Sequence, residues 1–161
     1  MTHLVDGLRR ALRAEHEYLD GLFERLLKCA HDDDRESLLP LWSVFERVLL
    51  DHIGWEEAHI LPRYRLDHPT DAASILEDHA RFRSLVAEIG VAVELHLLRE
   101  DMVREMIDLL RTHAMREEGQ FHQWAEETVT GPVVDSFVER VRARIRDATD
   151  ATGKGGPAIF R

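Results

Sequence analysis

The sequence predicts an all-α fold: an up-down-up-down four-helix bundle with a short extra C-terminal helix and a flexible tail. Apolar residues return every three or four positions through long stretches, the period of a helix that buries one face. Leu, Ala, Glu and Arg are plentiful, β-branched runs are few, and only two tyrosines and five prolines occur, a balance that favours helix over strand. Polar breaks separate four such stretches, and short connections make consecutive helices antiparallel neighbours.

Helix 1 is expected from about Leu4 to Ala30, where Leu8, Leu12, His16, Leu19, Phe23 and Leu26 share a face. His31-Asp32-Asp33-Asp34 reads as a polar loop, with Ser37 as the cap of helix 2 and Pro40 tolerated in its first turn. Helix 2 carries Leu41, Phe45, Val48, His52, Glu56 and His59 on one side. Pro62 and the polar stretch to Pro69 close it, and Thr70 or Asp71 can cap helix 3. Ile75, His79, Phe82, Val86, Ile89 and Val93 define that helix; a turn near Val93 to Leu98 leads to helix 4, with Met106, Leu109, His113, Glu117, Gln120 and Trp124. Gly131-Pro132 breaks the pattern and starts a fifth helix over 132–148, expected to pack outside the bundle through Val134, Phe137, Val141 and Ile145. Residues 149–161 read as tail, so residues 1–148 form one domain with the appended helix.

Size and composition narrow the function. With 161 residues, 44% of them hydrophobic, the chain can bury one real core. A net charge of -10 argues against a nucleic-acid or anionic-membrane binder, since like charges repel phosphate. Arg140, Arg142, Arg144 and Arg146 are spread around their helix and read as solvated surface. No apolar run is long enough to span a bilayer and no secretory signal is legible, which makes the cytoplasm the expected compartment. Cys29 is the only cysteine, so a thiolate cluster is excluded; it reads as a buried or inert thiol.

The informative feature is a set of ligand-type residues interrupting the apolar stripes: His16, then His52 with Glu56, then His79, then His113 with Glu117. The set is one helix pair written twice, because 63 residues separate His16 from His79 and 61 separate His52 from His113. His16 and His52 both lie about 14 residues from their shared loop, roughly 20 Å along each helix, and so meet at one depth. The same count brings His79 level with His113. His52 with Glu56, and His113 with Glu117, stand four residues apart on one helical face, where each pair can grip one metal or bridge two. Six polar groups in an apolar core without partners would cost several kcal/mol per ionised group, so metal is the economical explanation. Nitrogen and oxygen donors without thiolate suit iron or manganese, with zinc a weaker fit, and assembly should release protons.

The segments "HIGWEEAHILP" from His52, "EDHARF" around His79 and "HAMREEGQF" from His113, together with His16, resemble the hemerythrin-like, or HHE cation-binding, domain family over roughly residues 8 to 128. The resemblance implies a non-haem di-iron centre, oxo- or hydroxo-bridged, with His16 and His52 on one iron, His79 and His113 on the other, and Glu56 and Glu117 bridging. It also implies a small ligand such as oxygen, peroxide or nitric oxide, bound, sensed or, as in a peroxide-decomposing enzyme, consumed. Oxygen-carrying members place a further histidine one turn after the third-helix histidine. Here that position is Arg83, which argues against reversible oxygen carriage and for a centre open at both ions.

Three other readings compete: a metal-free bundle, an interaction bundle that uses metal only for stability, and a ferritin-like di-iron carboxylate protein. The last is suggested by the Glu-x-x-His step from Glu56 to His59 but lacks a second copy near helix 4. His59 is a candidate extra ligand. Glu57 and Glu118 are expected to face solvent or neighbouring helices, and His3, His31, His68, His96 and His122 to lie at the surface. Tyr18 points away from His16, while Trp55 and Trp124 read as packing residues.

Overall fold

A computed structural model describes residues 5–153. It is all-α: among the described residues there is no strand. The frame is α1 (Leu8–His31), α2 (Arg35–His59), α4 (Pro69–Glu94) and α5 (Glu100–Arg116), with a short α3 (Leu61–Asp67) between α2 and α4. α5 runs into a wide π-type turn (Glu117–Phe121) and then α6 (His122–Thr128); α7 (Pro132–Gly153) follows. None of these helices is long and apolar enough to cross a membrane.

Local chemistry explains the boundaries. Asp34, not Ser37, caps α2: its carboxylate accepts the Ser37 backbone N–H at 3.1 Å, one of the orphan donors of a helix start. The expected polar connection after Pro62 is helical because proline suits a first helical turn and because Leu61 and Tyr64 are buried. α4 likewise starts on Pro69, one residue ahead of the expected cap. The turns before α2 and after α4 each use one left-handed residue, Asp33 (φ 51°) and His96 (φ 56°).

Two apolar clusters fill the bundle. One takes Leu19 to Leu26 of α1, Leu38 to Ile53 of α2, Phe82 to Val93 of α4 and Val103 to Leu110 of α5. The other takes Leu8 to Leu12, Trp55 to Tyr64, Ala72, Ile75, Phe121, Ala125 and α7 residues Val134, Phe137, Val138 and Val141. On each helix the ligand-type residues fall at the seam, as His16 does between Leu12 and Leu19 and His79 between Ile75 and Phe82. The buried polar layer is therefore dry on both sides.

α7 is longer than the sequence suggested and continues to Gly153, past residue 148; the rest of the expected tail, 154–161, lies outside the described residues, as do His3 and Leu4. Nor is it peripheral. Phe137 stacks on Trp55 with centroids 4.2 Å apart, and both are buried in the second cluster.

Candidate metal centre

The seam holds eight buried polar or charged residues: Glu15, His16, His52, Glu56, His79, His113, Glu117 and His122. α1 supplies Glu15 and His16, α2 supplies His52 and Glu56, α4 supplies His79, α5 supplies His113, the π turn supplies Glu117 and α6 supplies His122. Two sets within it bring one donor atom per residue close enough to hold a metal ion. They are His16, Glu56, Glu117 and His122, and Glu56, His79, His113 and Glu117, with donors within 4.8 Å of one another in each set. Glu56 and Glu117 belong to both. His52 borders the first set, its Nε2 lying 2.9 Å from His16 Nε2 and 3.3 Å from Glu56 Oε1.

Each histidine of the bundle frame is held from behind by a carboxylate at Nδ1. Glu15 meets His52 at 2.8 Å, Glu57 meets His79 at 3.0 Å, Asp78 meets His113 at 3.0 Å and Glu118 meets His16 at 3.4 Å. With the ring proton on Nδ1 donated to these oxygens, each Nε2 turns a lone pair inward. The pattern is a ring around the bundle. The residue before each single histidine serves the next helix, and the residue after each shared glutamate serves the single histidine beyond it.

The inward atoms lack partners of their own. Both oxygens of Glu56 and Glu117, Nε2 of His79 and of His113, and both ring nitrogens of His122 are buried without a hydrogen bond, and these are the only such side-chain atoms among the described residues. Leaving that many polar atoms unsatisfied in a dry interior is costly, and N-to-O separations of 3.0 to 3.8 Å put these donors within reach of a shared cation. His16 Nε2 facing His52 Nε2 makes the same point, since two lone pairs at 2.9 Å repel unless a proton or cation lies between them. The donor set fits metal.

Without metal, protons play that part. Burial alone would depress His79, but the contacts and charges of Glu117 and Glu56 outweigh it and lift the imidazole to about 9. His52 and His113 are also raised, against burial, chiefly by the charges of Glu56 and Glu117 respectively. Burial opposes ionisation of Glu56 and Glu117, yet the surrounding histidines hold both well below the usual carboxylate range. His122 is lowered by desolvation. Metal must displace protons from the raised histidines, so affinity is expected to climb between about pH 6.5, the reference imidazole value, and pH 9. The metal-free fold follows the opposite sign: the contribution of protonated His79 is complete below about 6.5 and is lost as pH rises through about 9. Cobalt(II) titrations at pH 6, 7, 8 and 9 check the first trend; an affinity flat with pH would remove the histidines from the ligand set.

The family model of the hemerythrin HHE cation-binding domain matches residues 8–151, nearly the whole chain. The chain belongs to the hemerythrin HHE cation-binding family. No curated protein and no solved structure matches it.

In this HHE domain the six residues singled out from sequence, His16, His52, Glu56, His79, His113 and Glu117, all converge on the buried layer. His122 corrects an expectation: it is fully buried and in the first set, not at the surface. A regular helix would turn position 122 about 140° away from Glu117, but the π turn, broken open at Gly119 (ψ -112°), makes residues five apart neighbours. His59 is exposed, tilted against Trp55 with ring centroids 5.1 Å apart, and outside both sets, which removes the Glu-x-x-His reading. Glu57 and Glu118 do face neighbouring helices, where each meets a histidine. Arg83 points outward into a two-pronged pair with Glu57, 2.8 Å at each prong. Arg144, expected in solvent, reaches inward to Glu15. Glu15 and Asp78 were missed as contributors; their signal was an acidic residue immediately before each single histidine, repeated in both halves.

Proposed function

We propose that this HHE protein is a non-haem di-iron protein that binds or reacts with oxygen or peroxide. The observation that carries the reading is that Glu56 and Glu117 belong to both donor sets and that all four of their oxygens lack a hydrogen bond, as bridging carboxylates require. His16, His52 and His122 would hold one ion, and His79 with His113 the other. Such a centre would have five histidines, with the more fully held ion on the side opposite to His79 and Arg83. On this reading the two ions would not be equally open, as the sequence alone suggested: one would have one protein donor fewer, which would leave room there for a small ligand such as oxygen, peroxide or nitric oxide.

A bound iron pair supplies electron exchange with such ligands in steps of two. The chain's own residues fix the donors. Outer carboxylates orient the rings of His16, His52, His79 and His113, the two apolar clusters keep water from the seam, and Phe82, edge-on to His113 at 5.1 Å between centroids, walls the less filled side.

His122 separates this arrangement from the six-ligand one. His122→Leu is expected to weaken one of two ions at least about tenfold and leave the other unchanged. Two ions retained at unmodified affinity would remove His122 from the centre. Function itself is tested by metal content together with the absorption spectrum after anaerobic reduction and after exposure to oxygen or peroxide. Two irons per chain and a spectrum that changes with each oxidant support the proposal. A bound metal indifferent to both oxidants would favour a purely structural metal.

A further inference from the structure

Three of the four outer carboxylates carry an arginine on their far side. Arg83 pairs with Glu57 and Arg116 with Asp78, both at the surface with side chains 43% and 38% exposed. The third, Arg144 with Glu15, differs: Arg144 is 16% exposed, Glu15 is fully buried, and the arginine comes from α7, outside the four-helix frame. Glu15 divides its oxygens, Oε2 taking the His52 Nδ1 proton at 2.8 Å and Oε1 meeting Arg144. The Arg144 guanidinium also lies 5.9 Å from the Tyr18 ring centroid. Two residues earlier, Arg142 donates to the Val5 carbonyl at 2.8 Å and pairs with Asp6 at 3.1 Å, tying α7 to the segment before α1. Phe137, further up α7, stacks on Trp55, the residue beside Glu56.

We propose that Arg144 is a positioning residue of the metal centre, acting through Glu15 on His52, so that α7 docking and occupancy of the ion at His16, His52 and His122 are coupled. The inference rests on the metal reading given above. Without the guanidinium, Glu15 keeps a buried charge with one unpartnered oxygen, a costly state that favours turning away from His52. The imidazole then loses the contact that aims its Nε2. Coupling runs both ways: whatever metal gains from docked α7, α7 gains from metal. Arg83 and Arg116 give no such link, because they lie on α4 and α5 and water can replace them.

Cobalt(II) serves as probe, titrated into the full chain and into Arg144→Met, Arg144→Lys and Arg83→Met. Arg144→Met is expected to bind one of two ions about 10- to 100-fold more weakly, with Arg144→Lys intermediate and Arg83→Met near the unmodified protein. Hydrogen exchange of α7 amides in the unmodified chain gives a readout that depends on no variant, and cobalt should slow it. Equal binding of both ions by Arg144→Met, or α7 exchange indifferent to cobalt, would overturn the coupling while leaving the metal centre standing. No cobalt uptake by the unmodified chain would overturn both.

Discussion

Glu56→Gln with Glu117→Gln is expected to abolish binding of both ions while leaving the helical fold intact. Glutamine keeps the volume of each side chain and removes its charge, so the change acts on the donors and not on packing. Each carboxylate lies in both donor sets, so the single variants should weaken both ions together, whereas a histidine variant weakens one. Loss of an outer contact to a ligand commonly costs about 10- to 100-fold in affinity, and loss of a shared donor should exceed about 100-fold. Inductively coupled plasma analysis of metal-loaded, desalted protein measures it directly. A double variant that retains two ions per chain would mean that Glu56 and Glu117 are buried for some other reason.

Removing the metal should lower the melting temperature by roughly 8–16 °C. The estimate takes two ions, each present at about 30 times its dissociation constant and worth about 2 kcal/mol, and a domain of this size that shifts about 2–4 °C per kcal/mol. The physical source is the buried layer itself, in which the unpartnered atoms of Glu56, His79, His113, Glu117 and His122 must otherwise be satisfied by protons. Calorimetry with and without a chelator reads the shift, and the Glu56→Gln, Glu117→Gln protein should show none. A melting temperature unmoved by chelation in the unmodified protein would argue that the layer is stable without ions.

The helices were legible because an apolar stripe of period near 3.6 survives interruption by one or two polar residues. His16, His52, Glu56, His79, His113 and Glu117 were legible because those interruptions repeat at matching depth in two halves of the chain. His122 was not, because helical spacing assumes 100° per residue and the turn at Gly119 breaks that rule; the isolated glycine inside an otherwise periodic segment was its only local sign. The carboxylates behind the histidines escaped for a different reason. Glu15 adjoins His16 in sequence but serves His52, and Asp78 adjoins His79 but serves His113, so each role depends on packing between helices. Arg144 was further out of reach, since four arginines at alternate positions describe a solvated helix unless a buried acid awaits one of them.

The proposed dinuclear centre has three histidines on one ion, two on the other and both glutamates shared. An anomalous difference map from crystals of the iron-loaded protein tests it most directly. Two iron peaks are expected about 3.5–4 Å apart between Glu56 and Glu117, one beside His16, His52 and His122, the other beside His79 and His113. A single peak, or two peaks with His122 turned away from both, would contradict it.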